Sequence, residues 1–182
     1  MNNLIHDSIK GEKLFYSSEI FLNMDLTEDK FSKVKDWLIE EGLMRKEVPD
    51  EMADWHYVVE FPQKSNQVSD VLKPKDRRIV LLITGIVLSE NHFRAFNSLT
   101  EEKKRKLIHR WKMDLIFRKA DFRFLPDSFN LQKVEFSLPV FEDELSKSTV
   151  IHGLRELFKC KLYIIWNVQH EFDRHPETSY YI

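Results

Sequence analysis

The sequence has one cysteine, Cys160, so no internal disulfide can staple the fold. A lone thiol fits a reducing, cytoplasmic setting, and free cysteine mostly behaves as a small hydrophobe. A catalytic thiol needs an accessible, electropositive surround, and Lys159 and Lys161 are its neighbours in sequence only. Glycine is scarce, at four residues, which argues against a loop-rich fold and a glycine-rich phosphate cradle. Neither the P-loop nor the dinucleotide-binding fingerprint occurs, and G-x-S-x-G and H-E-x-x-H are also missing. No run reaches the roughly 18 consecutive apolar residues of a transmembrane helix. The N-terminus, "MNNLIHDSIKGEKLFYSSEIFLNM", has no basic start followed by an unbroken apolar core, so no signal peptide and no membrane association are expected. Charge of one sign is lacking too. The net value is −2, which gives no global attraction to nucleic acid or an anionic membrane.

Core-forming material is plentiful. Hydrophobic residues make up 42% of the 182 residues, with fourteen Phe and four Trp, against 32% charged. A chain of this length buries roughly 70% of its unfolded surface, enough for a core without metal or disulfides.

The segment "DLTEDKFSKVKDWLIEEGL" predicts the first helix. Asp25 or Thr27 can cap it, Phe31, Val34 and Leu38 recur at helical intervals, and Gly42 with Leu43 reads as a C-terminal stop. Strands follow in "LMRKEV", "WHYVVEFP" and "QVSDVLKPK". In "WHYVVEFP", Trp55, Tyr57, Val59 and Phe61 alternate with His56, Val58 and Glu60. "RRIVLLITGIVL" carries the β-branched run Ile79 to Ile83 expected of a central strand buried on both faces, and Gly85 marks a bulge or a close approach. Ser89 caps a short helix. Ser98, with Glu101 three residues on, opens a long one whose inward stripe is Leu107, Ile108, Trp111, Leu115 and Arg118. "DFRFLP" and "LQKVEFSLPV" read as two more strands. Glu142, Asp143 and Glu144 form a turn, and from Ser146 the apolar spacing is helical again, through Val150, Leu154, Leu157 and Val168.

The elements come in runs, helix–strands–helix–strands–helix. This predicts an α+β fold with an antiparallel sheet of about five to six strands packed by helices. Residues 1–24 read as an N-terminal arm and residues 25–182 as a single domain.

The segment "KLYIIWNVQHEF", Lys161 to Phe172, is ambiguous. The regular stripe before it favours helix, yet Lys161 then falls on the inward arc; a strand avoids this. In either form it carries surplus apolar surface, and Tyr163, Ile164 and Trp166 become the candidate partner interface.

No residue set declares itself catalytic. His170, Glu171, Asp173 and His175 have metal-ligand chemistry without a recognised spacing, so no metal and no cofactor are expected. Lys103, Lys104, Arg105, Lys106, Arg110 and Lys112 surround Trp111 in the manner of a phosphate-contacting helix. However, Glu101 and Glu102 stand four residues before Arg105 and Lys106, which favours intrahelical pairing on a solvated face.

"DWLIEEG", "HYVVEFP", "DVLKPK", "ITGIVLSENH", "DFRFLPD" and "KLYIIWNVQ", in this order, resemble an uncharacterised, mainly archaeal family of domains of unknown function, over roughly Asp25 to Phe172. That family carries no assigned catalytic residue, so none transfers. The element order is also similar to type III secretion chaperone-like folds, although with an extra strand and an extra short helix. That resemblance implies a protein that dimerises and binds other polypeptides. The expected function is a non-catalytic protein-binding module (a chaperone, adaptor or regulatory subunit) with a protein partner or a homodimer as its complex. The alternative is an enzyme of unrecognised type, or a nucleic-acid-associated factor using the basic helix 100–119.

Overall fold

The computed structural model describes residues 29–173. They form a two-layer α+β unit in which one six-stranded antiparallel sheet carries four helices on one face. The chain begins with α1 (Lys33–Glu40), followed by β1 (Met44–Glu47), β2 (Ala53–Glu60), β3 (Val68–Pro74) and β4 (Ile79–Val87). Helices α2 (Glu90–Asn97) and α3 (Glu101–Leu115) precede β5 (Asp121–Leu125) and β6 (Lys133–Phe141), and α4 (Lys147–Phe172) completes the described chain. The strand order is β1-β2-β3-β4-β6-β5. The first four strands are therefore a meander of sequence neighbours, and β6 inserts between β4 and β5.

Local chemistry sets most boundaries. Asp25 and Thr27, the expected caps of α1, and the arm at residues 1–24 lie outside the described residues. Within them, the Asp29 carboxylate accepts from the Phe31 amide at 3.1 Å just ahead of the helix. Gly42, at φ +63°, ends α1 in a Schellman turn: Leu43 N–H donates to the Leu38 carbonyl and Gly42 N–H to that of Ile39. Ser89 and Ser146 cap α2 and α4 through the amides of His92 and Thr149. The cap of α3 is Thr100, which accepts from the Lys103 amide. Ser98, expected in that role, instead closes α2. Arg118, expected on the inward stripe of α3, lies beyond the helix end and is exposed, so only Leu107, Ile108, Trp111 and Leu115 are buried as predicted.

The segment 161–172 is helical and continues α4 without a break. Lys161 does point inward. Its ammonium donates to the Val68 carbonyl at 3.3 Å, which satisfies the buried donor. Helix α4 lies across β4 and β6. Gly153 makes this approach possible, since a Cβ there would stand 2.9 Å from Leu138 and closer still to Leu82. Lys147, at the start of α4, bridges Glu40 and Glu41 at the end of α1.

The sheet's helix-facing side supplies Tyr57, Val59, Val71, Val80, Leu82, Val134, Phe136 and Val140, all buried. They pack with Val34 and Leu38 of α1, Phe96 of α2, Trp111 of α3 and Leu154, Leu157 and Ile164 of α4. Gly85 is a close approach and not a bulge: the β4–β6 register runs unbroken through it, and a Cβ would meet the Lys133 side chain at 2.7 Å.

Candidate functional site

The expectation that β4 is buried on both faces holds for one face only. Val80, Leu82 and Thr84 are buried, whereas Ile79, Leu81 and Ile83 between them are half-exposed. Directly opposed residues of antiparallel strands share a face, so the register identifies what surrounds them. Leu72 lies opposite Leu81, Asp70 opposite Ile83 and also opposite Val58, Pro139 opposite Leu81, and Phe141 opposite Ile79. Val58, Leu72, Ile79, Leu81, Ile83, Pro139 and Phe141 thus form one contiguous apolar patch on the side of the sheet away from the helices. Phe141 is 55% exposed. A sheet solvated on one side ordinarily alternates apolar-in with polar-out. This sheet is apolar on both sides at its centre.

Polar groups rim the patch. On the β2–β3 side, His56 stands between two carboxylates, with Nδ1 3.0 Å from Asp50 and Nε2 3.0 Å from Asp70. The Met52 amide donates to Asp50, which together with His56 holds that carboxyl below its ordinary range against the cost of burial. On the β6–β5 side, Glu135 accepts from Lys133 and Arg123. The Lys133 bond is the main cause of a Glu135 pKa below the usual carboxylate value. Both ring nitrogens of His56 are engaged, so it is neither a free base nor an open metal ligand. Among the described residues no group of three or more His, Cys, Asp or Glu is arranged to hold a metal ion.

A polar, open depression lies nearby, lined by residues that include Glu47, Asp50, Asp54 and Trp55. It lacks the enclosed, mostly apolar character of small-molecule sites. The arrangement as a whole suits docking of a complementary apolar surface, with the rim charges setting orientation.

The residues singled out from sequence are dispersed. Ile164 is 1% exposed and belongs to the core. Tyr163 leans on α3, where its hydroxyl donates to Asp114 at 2.6 Å. Burial, and then the Asp114 carboxylate, raise its pKa above the ordinary tyrosine value. Trp166 alone of the three is exposed, at 54%. They do not form one surface, because successive helical residues point about 100° apart.

The basic helix is largely occupied with structure. Lys104 is buried, donating to the Phe129 carbonyl at 3.2 Å and lying over the Phe96 ring. Lys106 pairs with Glu102, Arg110 with Glu171, and Lys112 covers Phe124. Trp111 is fully buried, so it offers no face for base stacking. The suggested metal set also separates: Glu171 pairs with Arg110, Asp173 with His92, and His175 lies outside the described residues. Burial pushes the Cys160 thiol up to about 11, which leaves it unreactive at neutral pH.

The sheet face that none of the described helices covers is what the sequence reading missed. Its signal was the unbroken run Ile79–Ile83 together with Val58 and Leu72 at outward positions of their strands.

The family model described as "Uncharacterized conserved protein (DUF2299)" matches residues 31–168. The chain is also similar to a solved structure described as an uncharacterized protein from Methanothermobacter thermautotrophicus. The two share 30% identity with a TM-score of 0.74, over 79% of this chain and 99% of the other. No curated protein matches.

Proposed function

The chain belongs to that uncharacterised conserved family, and we propose that it works as a non-catalytic protein-binding module whose docking surface is the open face of the sheet. The observation that carries this reading is the apolar patch Val58, Leu72, Ile79, Leu81, Ile83, Pro139 and Phe141 with its charged rim. Contiguous exposed apolar surface framed by polar groups favours a protein partner over solvent. Engagement of both His56 nitrogens, and burial of Cys160, weigh against the enzyme alternative. Occupation of Lys104, Lys106, Arg110 and Lys112 weighs against the nucleic-acid alternative. No helix among the described residues is long and apolar enough to cross a membrane. A cytoplasmic setting is the companion proposal, supported by the single, buried, reduced thiol.

The test compares the tagged full chain with its Ile83→Asp and Leu81→Asp variants, purified from the native host after nuclease treatment. A protein held in stoichiometric amount by the parent chain and lost from both variants, with circular dichroism unchanged, is the expected result. Retention of that protein by the variants removes the open face as its docking surface.

A homodimer is a second reading, favoured by Trp166 on α4 and by the exposed Met113, Ile116 and Phe117 at the end of α3. Light scattering at high micromolar concentration is expected to give twice the chain mass, and a Trp166→Glu variant the monomer mass. A monomeric parent chain would remove this reading.

A further inference from the structure

We propose that the outer edge of β5 pairs antiparallel with β5 of a second copy of this chain, about a two-fold axis at Phe122. This rests on the homodimer reading above, and it gives that dimer a seam, a register and a consequence for the open face.

Strand β5 is the last of the sheet, with β6 on its inner side. Among the described residues, no loop or helix bonds to the backbone of Asp121–Phe124 from the outer side. Such an edge is a template for another strand. The opposite edge is guarded. Strand β1 carries Arg45 and Lys46 and is irregular between Met44 and Lys46, and both features discourage strand addition. Strand β5 instead keeps an unbroken register with β6 and carries charges of both signs, Asp121 and Arg123.

Charge selects one register. A two-fold axis perpendicular to the sheet keeps the helices of both copies on one side, so residues opposed across the seam share a face. Three registers of this kind overlap the two strands by more than one residue, with axes at Phe122, Arg123 or Phe124. An axis at Arg123 sets guanidinium against guanidinium. An axis at Phe124 sets Asp121 against Asp127 and brings Pro126, which has no amide proton, opposite Phe122. An axis at Phe122 places Asp121 of each copy opposite Arg123 of the other, so symmetry supplies the pair twice. It also sets the small Ala120 opposite Phe124. Both charged groups are available. Asp121 is exposed and has no ion-pair partner among the described residues. Arg123 pairs with Glu135 yet keeps 70% of its side chain exposed.

The apolar surface nearby fits the same axis. Ile116 and Phe117, at the end of α3, are 63% and 84% exposed, and Phe117 is five residues from Phe122 in the chain. Two copies joined at Phe122 bring these side chains towards each other on the helix side of the seam, where they leave water together.

The joined sheet has twelve strands, and both open faces lie on one side of it. Strand β4 of one copy stands five strand spacings, roughly 24 Å, from β4 of the other. A partner with two apolar elements at that separation engages both patches and gains avidity.

The test uses full chains carrying Asp121→Arg or Arg123→Asp, separately and mixed in equal amounts. Each variant alone sets like charges opposite each other in both pairs, whereas the mixture makes both pairs opposite in sign. The expected result is a dimeric parent and a self-association weakened roughly tenfold or more in each variant. The mixture should recover a two-chain species holding one copy of each variant, read by native mass spectrometry. Amides of residues 121–124 should exchange more slowly in the mixture than in either variant alone. Variants that each dimerise as tightly as the parent, or a mixture that stays monomeric, would overturn the β5 seam while a dimeric parent keeps the homodimer reading. A parent that is monomeric at high micromolar concentration would overturn both.

Discussion

Lys161 of α4 and Thr84 of β4 converge on one acceptor, the carbonyl oxygen of Val68, at 3.3 Å and 3.0 Å. The paired β3–β4 register spans Asp70 to Leu72, and beyond it the Val68 carbonyl takes side-chain donors. Burial lowers the Lys161 pKa below its model-peptide value of 10.5. The unfolded chain then binds more protons than the folded one between the two values, so stability rises with pH across that window. Because Thr84 still serves the carbonyl, Lys161→Met is expected to unfold in urea at the same midpoint as the parent or higher at pH 7. The parent should gain on it as pH approaches 10.5. Lys161→Ala, which also removes the packed aliphatic stem, is expected to lose roughly 2 kcal/mol. A Met variant that is strongly destabilised would mean that the ammonium itself holds the helix to the sheet.

The two faces of β4 are separable by adjacent substitutions. Leu82 is fully buried between sheet and helices, and Leu81 is half-exposed on the other side. Leu82→Ala should cost about 3 kcal/mol in chemical denaturation, and Leu81→Ala about 1 kcal/mol. Equal losses would show that the open face is covered as fully as the core.

Gly153 tests how tightly α4 sits on the sheet. Alanine in a helix interior ordinarily stabilises by up to about 1 kcal/mol. Here its methyl would meet Leu82 and Leu138, and Gly153→Ala is expected to destabilise by roughly 1–3 kcal/mol. In a Leu82→Val background the same change should cost less. An additive cycle would show that the clash is relieved by other movement.

Glu135 gives an acid-limb prediction. Its folded pKa lies below the ordinary 4.5, first through the Lys133 bond. A depressed carboxylate contributes stability above its unfolded pKa and loses it as pH falls through the folded value. Glu135→Gln should therefore be less stable than the parent at pH 6, and the difference should shrink below about pH 4.5. A difference independent of pH would assign the effect to packing alone.

Much of the fold was legible because its signals are local. The Schellman stop at Gly42 and the caps at Ser89 and Ser146 depend on a few adjacent residues. The strand alternation Trp55, Tyr57, Val59 depends on period two. The helical reading of 161–172 followed from the stripe Val150, Leu154, Leu157, Val168. Where the sequence reading failed, the answer depended on a distant neighbour. Lys161 on an apolar arc looked awkward because its acceptor, Val68, is far away in the chain. The run Ile79–Ile83 fits a strand covered on both sides as well as one whose second side is an apolar surface, since periodicity reports chemistry and not cover. Tyr163, Ile164 and Trp166 were grouped by composition, and helical geometry then sent one inward, one against α3 and one to solvent.

The insertion of β6 between β4 and β5 bears on how the protein assembles. The meander β1–β4 and the hairpin β5–β6 each form from neighbours in sequence. The nine-rung ladder between β4 and β6 joins them across the whole of α2, α3 and β5. Closing that seam carries the larger loop-entropy cost and is the slow event of such a topology. Helix α4, made last in the described chain, lies over both strands of the seam, so it clamps the two halves only once they have met. Amide exchange along Ile79–Val87 and Lys133–Phe141 should accordingly report global opening, while the outer edge at β1 opens locally.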